Sequence, residues 1–96
     1  MDRRERIENR LRDALAAERV EVVDESHLHA GHAGAAGGGG HFRALVVSPR
    51  FEGLSMLAAQ RLVYESLSDE MESAIHALAM RTLTPEEWER SAGGSN

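Results

Sequence analysis

The feature that most constrains this chain is a long connection, residues 26–40, that cannot form regular structure. It contains three histidines and six glycines, and four of the glycines are consecutive at its end. Ordering such a glycine run costs too much conformational entropy for a helix or a strand. Short β-branched or alternating apolar segments flank it at residues 20–25 and 41–48. The sequence therefore predicts two strands joined by an irregular loop, most simply as a hairpin.

Apolar residues at helical spacing predict two longer helices. The first covers residues 2–17, with one apolar face and favourable ion pairs four residues apart. The second covers residues 56–67, where Ser55 can cap it, and its broad apolar face includes Met56 and Leu57. The remaining predicted elements are a short helix from Ser68, a strand over His76–Leu83 and a helical turn around Trp88 after the capping box Thr84-Pro85-Glu86-Glu87.

The order of these elements indicates the fold class. Helix, strand, strand, helix, short helix, strand and short helix predict an α+β sandwich with one three-stranded sheet. A chain of 96 residues has room for a single domain. We place this domain at residues 1–90 and expect residues 91–96 to be a disordered tail.

Composition excludes several classes of function. The chain has no cysteine, so it cannot hold an iron–sulfur centre wholly by its own thiolates or use thiol catalysis. Its net charge of −5 repels nucleic acid and anionic membranes. The longest apolar runs are far shorter than the ~20 residues that cross a bilayer, and no signal-peptide pattern opens the chain. We expect a soluble cytoplasmic protein without membrane association, and no pattern of residues supports an enzyme.

The five histidines are the best candidates for chemistry. His27, His29 and His32 lie in the glycine-rich loop, His41 closes it, and His76 begins the last predicted strand. Imidazole binds transition metals at neutral pH, and a flexible loop can bring one ligand to a fixed second one. Two plainer interpretations stay open: solvated polar histidines in the loop, and a hydrogen-bonded structural histidine at position 76 within its apolar run.

Several motifs, in this order along the chain, resemble those of the BolA family. The match covers roughly residues 5–90 and implies a fold like the type II KH domain, αββααβ with a short C-terminal helix and the helices on one face of a three-stranded sheet. The motifs are Val22-Val23-Asp24-Glu25-Ser26, His41-Phe42-Arg43, Phe51-Glu52-Gly53-Leu54-Ser55, Leu62-Val63-Tyr64, Ile75-His76-Ala77-Leu78 and Thr82-Leu83-Thr84-Pro85-Glu86-Glu87-Trp88.

The resemblance implies a partner and a shared cofactor. BolA-like proteins pair with monothiol glutaredoxins and share a [2Fe–2S] cluster, to which glutaredoxin and glutathione supply thiolates. The family's C-terminal ligand corresponds to His76. Its loop ligand corresponds to His29 when counted from Ser26 and to His32 when counted back from His41; we favour His29. Because ligation needs neutral imidazole, sharing should weaken below the reference imidazole pKa of about 6.5.

The resemblance also implies an alternative, a DNA-binding transcriptional regulator of stress response and cell morphology. The candidate contacts are Arg43, Arg50, Ser55 and Arg61. The chain departs from the family pattern here, because Ala59-Gln60-Arg61 stands where relatives have Arg-His-Arg. This departure weakens the DNA-binding hypothesis more than the cluster hypothesis. A metal-free interaction adaptor is a third interpretation, and the sequence leaves open whether two copies of the chain associate.

Overall fold

A computed structural model of the chain describes residues 2–26, 40–73 and 75–94. The element order confirms the predicted α+β fold, and the strand bounds agree with the predicted ones to within one residue. No helix in these three ranges is long and apolar enough to cross a membrane. The elements are α1 (Arg3–Leu15), β1 (Arg19–Asp24), β2 (Gly40–Val47), a 3₁₀ turn (Pro49–Phe51), α2 (Met56–Ser66), α3 (Ser68–Ser73), β3 (Ile75–Leu83) and α4 (Pro85–Gly94).

The three strands form one sheet in the order β1-β2-β3. β1 and β2 pair antiparallel, with Val22 opposite Ala44, so the predicted hairpin is confirmed. β2 and β3 pair parallel, with Ala44 opposite Met80. A parallel strand needs a crossover connection, and α2 and α3 supply it. As a result, β2 and β3 both begin at the end of the sheet where β1 stops.

The hydrophobic core lies between the helices and one face of the sheet. Alternation along β2 sends Phe42, Ala44 and Val46 into the core and leaves Arg43 exposed. α1 contributes its predicted apolar face to the same core. The buried core residues are Ile7, Leu11, Leu15, Val20, Val22, Phe42, Ala44, Val46, Phe51, Ala59, Val63, Leu67 and Ile75.

The predicted apolar face of α2 was partly wrong. Ala59 and Val63 are buried one turn apart, whereas Met56 is 74% and Leu57 58% exposed. The helix has the sheet and α1 on one side only, so a single narrow stripe can be buried. Apolar composition alone made the predicted face too broad.

α4 is longer than the predicted single turn. Its capping box is formed: the Thr84 N–H donates to Glu87 Oε1 at 2.8 Å, and the Glu87 N–H donates to Thr84 Oγ1 at 3.1 Å. Arg90 bonds Glu86 four residues earlier at 2.9 Å. These interactions favour continuation of the helix to Gly94, so the first four residues of the expected disordered tail are helical; residues 95 and 96 lie outside the described residues.

The sheet has two contrasting ends. We call the end where β1 stops and β2 and β3 start the histidine end, because the backbones of His41 and His76 lie there. We call the other the capped end. There α4 turns back over the sheet, and the Trp88 ring centroid lies 4.8 Å from Cζ of Arg19. Val47, the sheet partner of Arg19, is only 1% exposed at this end.

Candidate functional site

The root of the glycine-rich loop is fixed on both sides. The Glu25 N–H donates to the His41 carbonyl at 2.8 Å, which extends the hairpin by one pair. The Ser26 hydroxyl then accepts the His41 N–H at 3.0 Å. Asp24 holds this serine in place, because its Oδ1 accepts the Ser26 N–H at 2.9 Å. The loop therefore leaves and re-enters the sheet at one defined point.

Gly40 makes this closure sterically feasible. A Cβ at this position would lie 2.8 Å from Cζ of Phe42 and 3.2 Å from Oγ of Ser26. Only glycine lets the backbone approach both groups so closely. These roles of Ser26 and Gly40 were not predicted from the sequence. Two local signals were present: a serine two residues after an aspartate, and a glycine directly before a strand.

The start of β3 carries a register irregularity at His76. Gly40 pairs with Ile75, but the next residue, His41, pairs with Ala77, so His76 is an extra residue between two consecutive pairings. Such bulges interrupt the ladder and re-aim a strand, and they are common next to functional sites. The backbone of His76 consequently lies beside the first two residues of β2, at the root of the loop.

The other predicted ligands belong to the loop that grows from this root. His29 and His32 lie outside the described residues, so both assignments stay predictions. Within the described part of the chain, no group of three or more histidine and carboxylate side chains is close enough to hold a metal ion. Glu25, a carboxylate at the loop root, is engaged by Arg43, with 3.1 Å between Oε2 and Nε.

The donor set at the histidine end consists of imidazoles. A [2Fe–2S] cluster accepts imidazole on one iron in place of thiolates, as in Rieske centres, and needs four ligands in total. Because the chain has no cysteine, any thiolate ligands must come from another molecule. Histidines are therefore the type of residue that fits part of such a shared coordination shell, and His76 is the predicted ligand whose backbone belongs to the sheet.

The structure places one of the four predicted nucleic-acid contacts, Arg43, on a different face from the other three. Arg43 lies on the sheet face opposite the helices and pairs with Glu25. The Arg50 guanidinium reaches a carbonyl oxygen of α1 at 3.4 Å, and the Ser55 hydroxyl caps α2. Arg61 lies exposed on α2. Two of the four side chains are thus used for local structure, and one faces away from the helix layer.

The cleft between the turn before α2 and the start of α4 is acidic. Its volume is about 500 Å³, and Glu52, Glu86 and Glu87 line it. Arg90 is the one basic residue of its lining. The pKa of Glu87 is lowered from its ordinary value of 4.5, chiefly by the hydrogen bond from the Thr84 N–H. The negative charge that this favours on Glu87 opposes the approach of a phosphate backbone.

The hairpin, the helical crossover and the parallel third strand define a small KH-like α+β domain with a histidine-bearing loop. The sequence model of the family described as BolA-like protein matches residues 11–87. The chain belongs to this family, which confirms the resemblance noted in the sequence.

Known relatives and structures agree with this assignment. The DNA-binding transcriptional regulator BolA of Escherichia coli is 44% identical over 86 residues, covering 90% of this chain and 79% of that protein. BolA-like protein 1 of Mus musculus is 48% identical over 82 residues, which are 85% of this chain but only 58% of the mouse protein. The BolA domain of SufE1 from Arabidopsis thaliana superimposes with a TM-score of 0.79 at 39% identity, covering 91% of this chain and 96% of that domain.

Proposed function

We propose that this chain is a non-catalytic partner of a monothiol glutaredoxin and completes a [2Fe–2S] cluster shared between the two proteins. The observation that carries the proposal is the bulge that places His76 beside the root of the histidine-bearing loop. His76 and one loop histidine would bind one iron. A glutaredoxin cysteine and glutathione would supply thiolates, in a cytoplasmic role in iron–sulfur trafficking or iron regulation.

The number of residues that separate each histidine from Ser26 favours His29 over His32 as the second ligand. His29 follows the fixed Ser26 by three residues, so its Cα lies at most ~10 Å from that anchor. His32 follows by six residues, and its greatest reach is twice as large, ~20 Å. The shorter tether samples a smaller volume around His76, so less conformational entropy is lost when the ligand is fixed.

The test is a titration of the chain into cluster-loaded monothiol glutaredoxin, followed by visible circular dichroism. We expect the wild-type chain to change the cluster spectrum and His76→Ala to leave it unchanged. His29→Ala should behave like His76→Ala, whereas His32→Ala and the loop control His27→Ala should behave like wild type. An unchanged spectrum with wild type, or the wild-type change with His76→Ala, contradicts the proposal. The reverse result for the two loop variants would move the second ligand to His32.

A second candidate function is DNA binding, which the name of the Escherichia coli relative favours. The separation of the candidate contacts and the acidic cleft argue against it for this chain. Gel-shift titrations at two salt concentrations distinguish the two functions. A DNA-binding surface predicts a log–log salt slope of about −0.9 per phosphate contact, reduced by about one contact in Arg61→Ala. We expect no shift even at low salt.

A third candidate, a metal-free adaptor, is separated from the first by iron analysis. If the proposed function is right, the complex purified with glutaredoxin should contain two iron atoms for each shared cluster, and iron should therefore be detected in it. An iron-free complex of the same two proteins would instead identify an adaptor.

A further inference from the structure

Among the residues that the structure describes, no strand pairs with the backbone groups on the outer edge of β3. The Leu83 carbonyl accepts the Ser48 N–H at 3.0 Å, so the backbone polar groups of Leu83 point toward β2. Along a regular strand this direction alternates with each residue. The pairing with β2 is regular from Ala77 onward. The backbone groups that point away from the sheet are therefore those of Leu78, Met80 and Thr82.

No element of the described chain covers this edge. β3 pairs with β2 alone, and β2 lies between β1 and β3. α4 follows β3 at the capped end, where the ring of its Trp88 contacts the guanidinium group of Arg19 from β1. An uncovered edge strand is a template for pairing with another strand, and proteins usually protect it with charges, proline or a bulge.

The side chains along this edge are mostly small or apolar. Leu78 and Met80 point to the helix side, where they are half-buried against the core. Ala77 and Ala79 are exposed on the opposite, open face of the sheet. Arg81 is the only charged residue from position 77 to the end of the strand. This edge therefore has little of the usual protection over its regular part.

We propose that β3 pairs antiparallel with β3 of a second copy of this chain, around a two-fold axis at Ala79. The two sheets of three strands then form one continuous six-stranded sheet. In this register Ala79 faces the partner's Ala79, Leu78 faces the partner's Met80, and Arg81 faces the partner's Ala77. Closed two-fold pairing of this kind is the commonest form of self-association.

Hydrogen bonding and packing both suit this register. The two Leu78–Met80 pairs consist of residues whose backbone groups point outward, and each such pair exchanges two hydrogen bonds. The same pairs place apolar side chains opposite each other on the helix side, so the core continues across the interface. The strand matches itself in polar groups and in side-chain character, and this self-match identifies a second copy as the occupant.

Charge selects the position of the axis. With the axis at Ala79, the two Arg81 residues are four positions apart along the strands, about 13 Å. This exceeds the screening length of about 8 Å at physiological salt. An axis at Met80 would bring the two guanidinium groups to diagonal positions ~7–8 Å apart and add repulsion.

The test is sedimentation velocity of the isolated chain, from micromolar to millimolar concentration, without glutaredoxin or cluster. We expect a reversible monomer–dimer equilibrium for wild type. Ala79→Arg and Ala79→Glu should each lose the dimer, because like charges then face each other on the axis. An equimolar mixture of the two variants should regain it. The matched controls are Val23→Arg and Val23→Glu, on an exposed position of β1, which should keep the wild-type equilibrium.

A monomeric wild type at every concentration overturns the proposal, and so does a wild-type dimer that the Ala79 variants leave intact or that the mixture fails to restore. Because the chain has no cysteine, oxidation of Ala79→Cys gives a second measurement. Rapid disulfide dimers are expected for this variant and slow ones for Val23→Cys; equal rates contradict the pairing. The glutaredoxin proposal is untouched by either result, since no partner is present.

Discussion

The two ends of the sheet are closed by different means. At the capped end the fully buried Ser48 hydroxyl donates to the Leu15 carbonyl at 2.5 Å and accepts the Arg50 N–H at 3.0 Å. Side chains thus tie β2 to α1 at this end. At the histidine end, the corresponding closure relies on the Ser26 hydroxyl and on the missing side chain of Gly40. Side chains fill one end, and at the other end the backbone of Gly40 packs closely against Phe42 and Ser26 because glycine has no side chain.

The difference separates stability from the proposed chemistry. Buried hydrogen bonds at the capped end hold helices to strands, and losing one leaves a desolvated polar group. At the histidine end, the proposed function requires the glycine-rich loop to bring a ligand to a cluster shared with another protein. Substitutions at the capped end should therefore lower the free energy of unfolding without changing the cluster spectrum. Substitutions at the histidine end should change both.

The largest effect on stability is expected for Ser48→Ala. Removal of the hydroxyl leaves the Leu15 carbonyl and the Arg50 N–H without their partner, at a cost of about 1–3 kcal/mol in the free energy of unfolding. Urea denaturation measures it. The control is Ser66→Ala, since that hydroxyl donates to the Leu62 carbonyl within its own helix and its loss should cost no more than about 0.5 kcal/mol. A weakened cluster spectrum in folded Ser48→Ala would break the comparison.

A somewhat smaller loss, about 1–2 kcal/mol, is expected for Gly40→Ala, because the added methyl group crowds Phe42 and Ser26. The shift of the loop root should also weaken the cluster spectrum. Gly53→Ala is the matched control. Gly53 has a φ of 77°, and a Cβ added there would meet no other atom, so alanine should cost ~1 kcal/mol in the free energy of unfolding through backbone strain alone. If Gly40→Ala lowers stability but leaves the cluster spectrum as strong as Gly53→Ala does, the loop root does not position the ligand.

Thr84→Ala should cost about 1 kcal/mol, the usual value of a helix N-cap. Its hydroxyl accepts the Glu87 N–H, so the start of α4 would loosen. The single tryptophan, Trp88, lies on Arg19 and reports this directly through its fluorescence. Thr82→Ala on the preceding strand serves as control and should leave the emission unchanged. Identical emission from Thr84→Ala and wild type would show that the cap does not hold α4 against the sheet.

Acid should produce the smallest effect, again at α4. The hydrogen bond from Thr84 keeps the pKa of Glu87 below 4.5 in the folded chain. A carboxyl with a lowered folded pKa stabilises the fold above its unfolded pKa, and the contribution disappears as pH falls through the folded pKa. We expect Trp88 emission to change below pH 4.5 in wild type and to lose this step in Glu87→Gln. A step of equal size in both proteins would assign it to another carboxyl.

The helices and strands were predicted well because alternation and capping depend on residues that are close together in the sequence. Alternation indicated a strand over β2, and the capping box marked the start of α4. The burial of Glu70 was not predicted: this residue is 6% exposed, and its Oε1 accepts a hydrogen bond from Arg6 Nε at 3.1 Å. The two residues are 64 positions apart, and no local pattern reports such a contact.

The candidate site was predictable only in part. The resemblance pointed to His76, but nothing in the apolar run around it indicated that the register with β2 would slip by one residue there. A bulge depends on the pairing of two strands that are far apart in sequence. The choice between His29 and His32 stays a prediction, since both follow from counting along a loop of uncommon length.

The central claim is that this chain gives imidazole ligands to a cluster whose thiolates come from elsewhere. Pulsed electron paramagnetic resonance of the reduced complex tests it most directly, with the histidines of this chain labelled with ¹⁵N and the glutaredoxin unlabelled. The account predicts two ¹⁵N couplings of directly bound imidazole in wild type and one fewer in any His76→Ala complex that still holds cluster. A cluster that forms in the complex without any ¹⁵N coupling from this chain would contradict it.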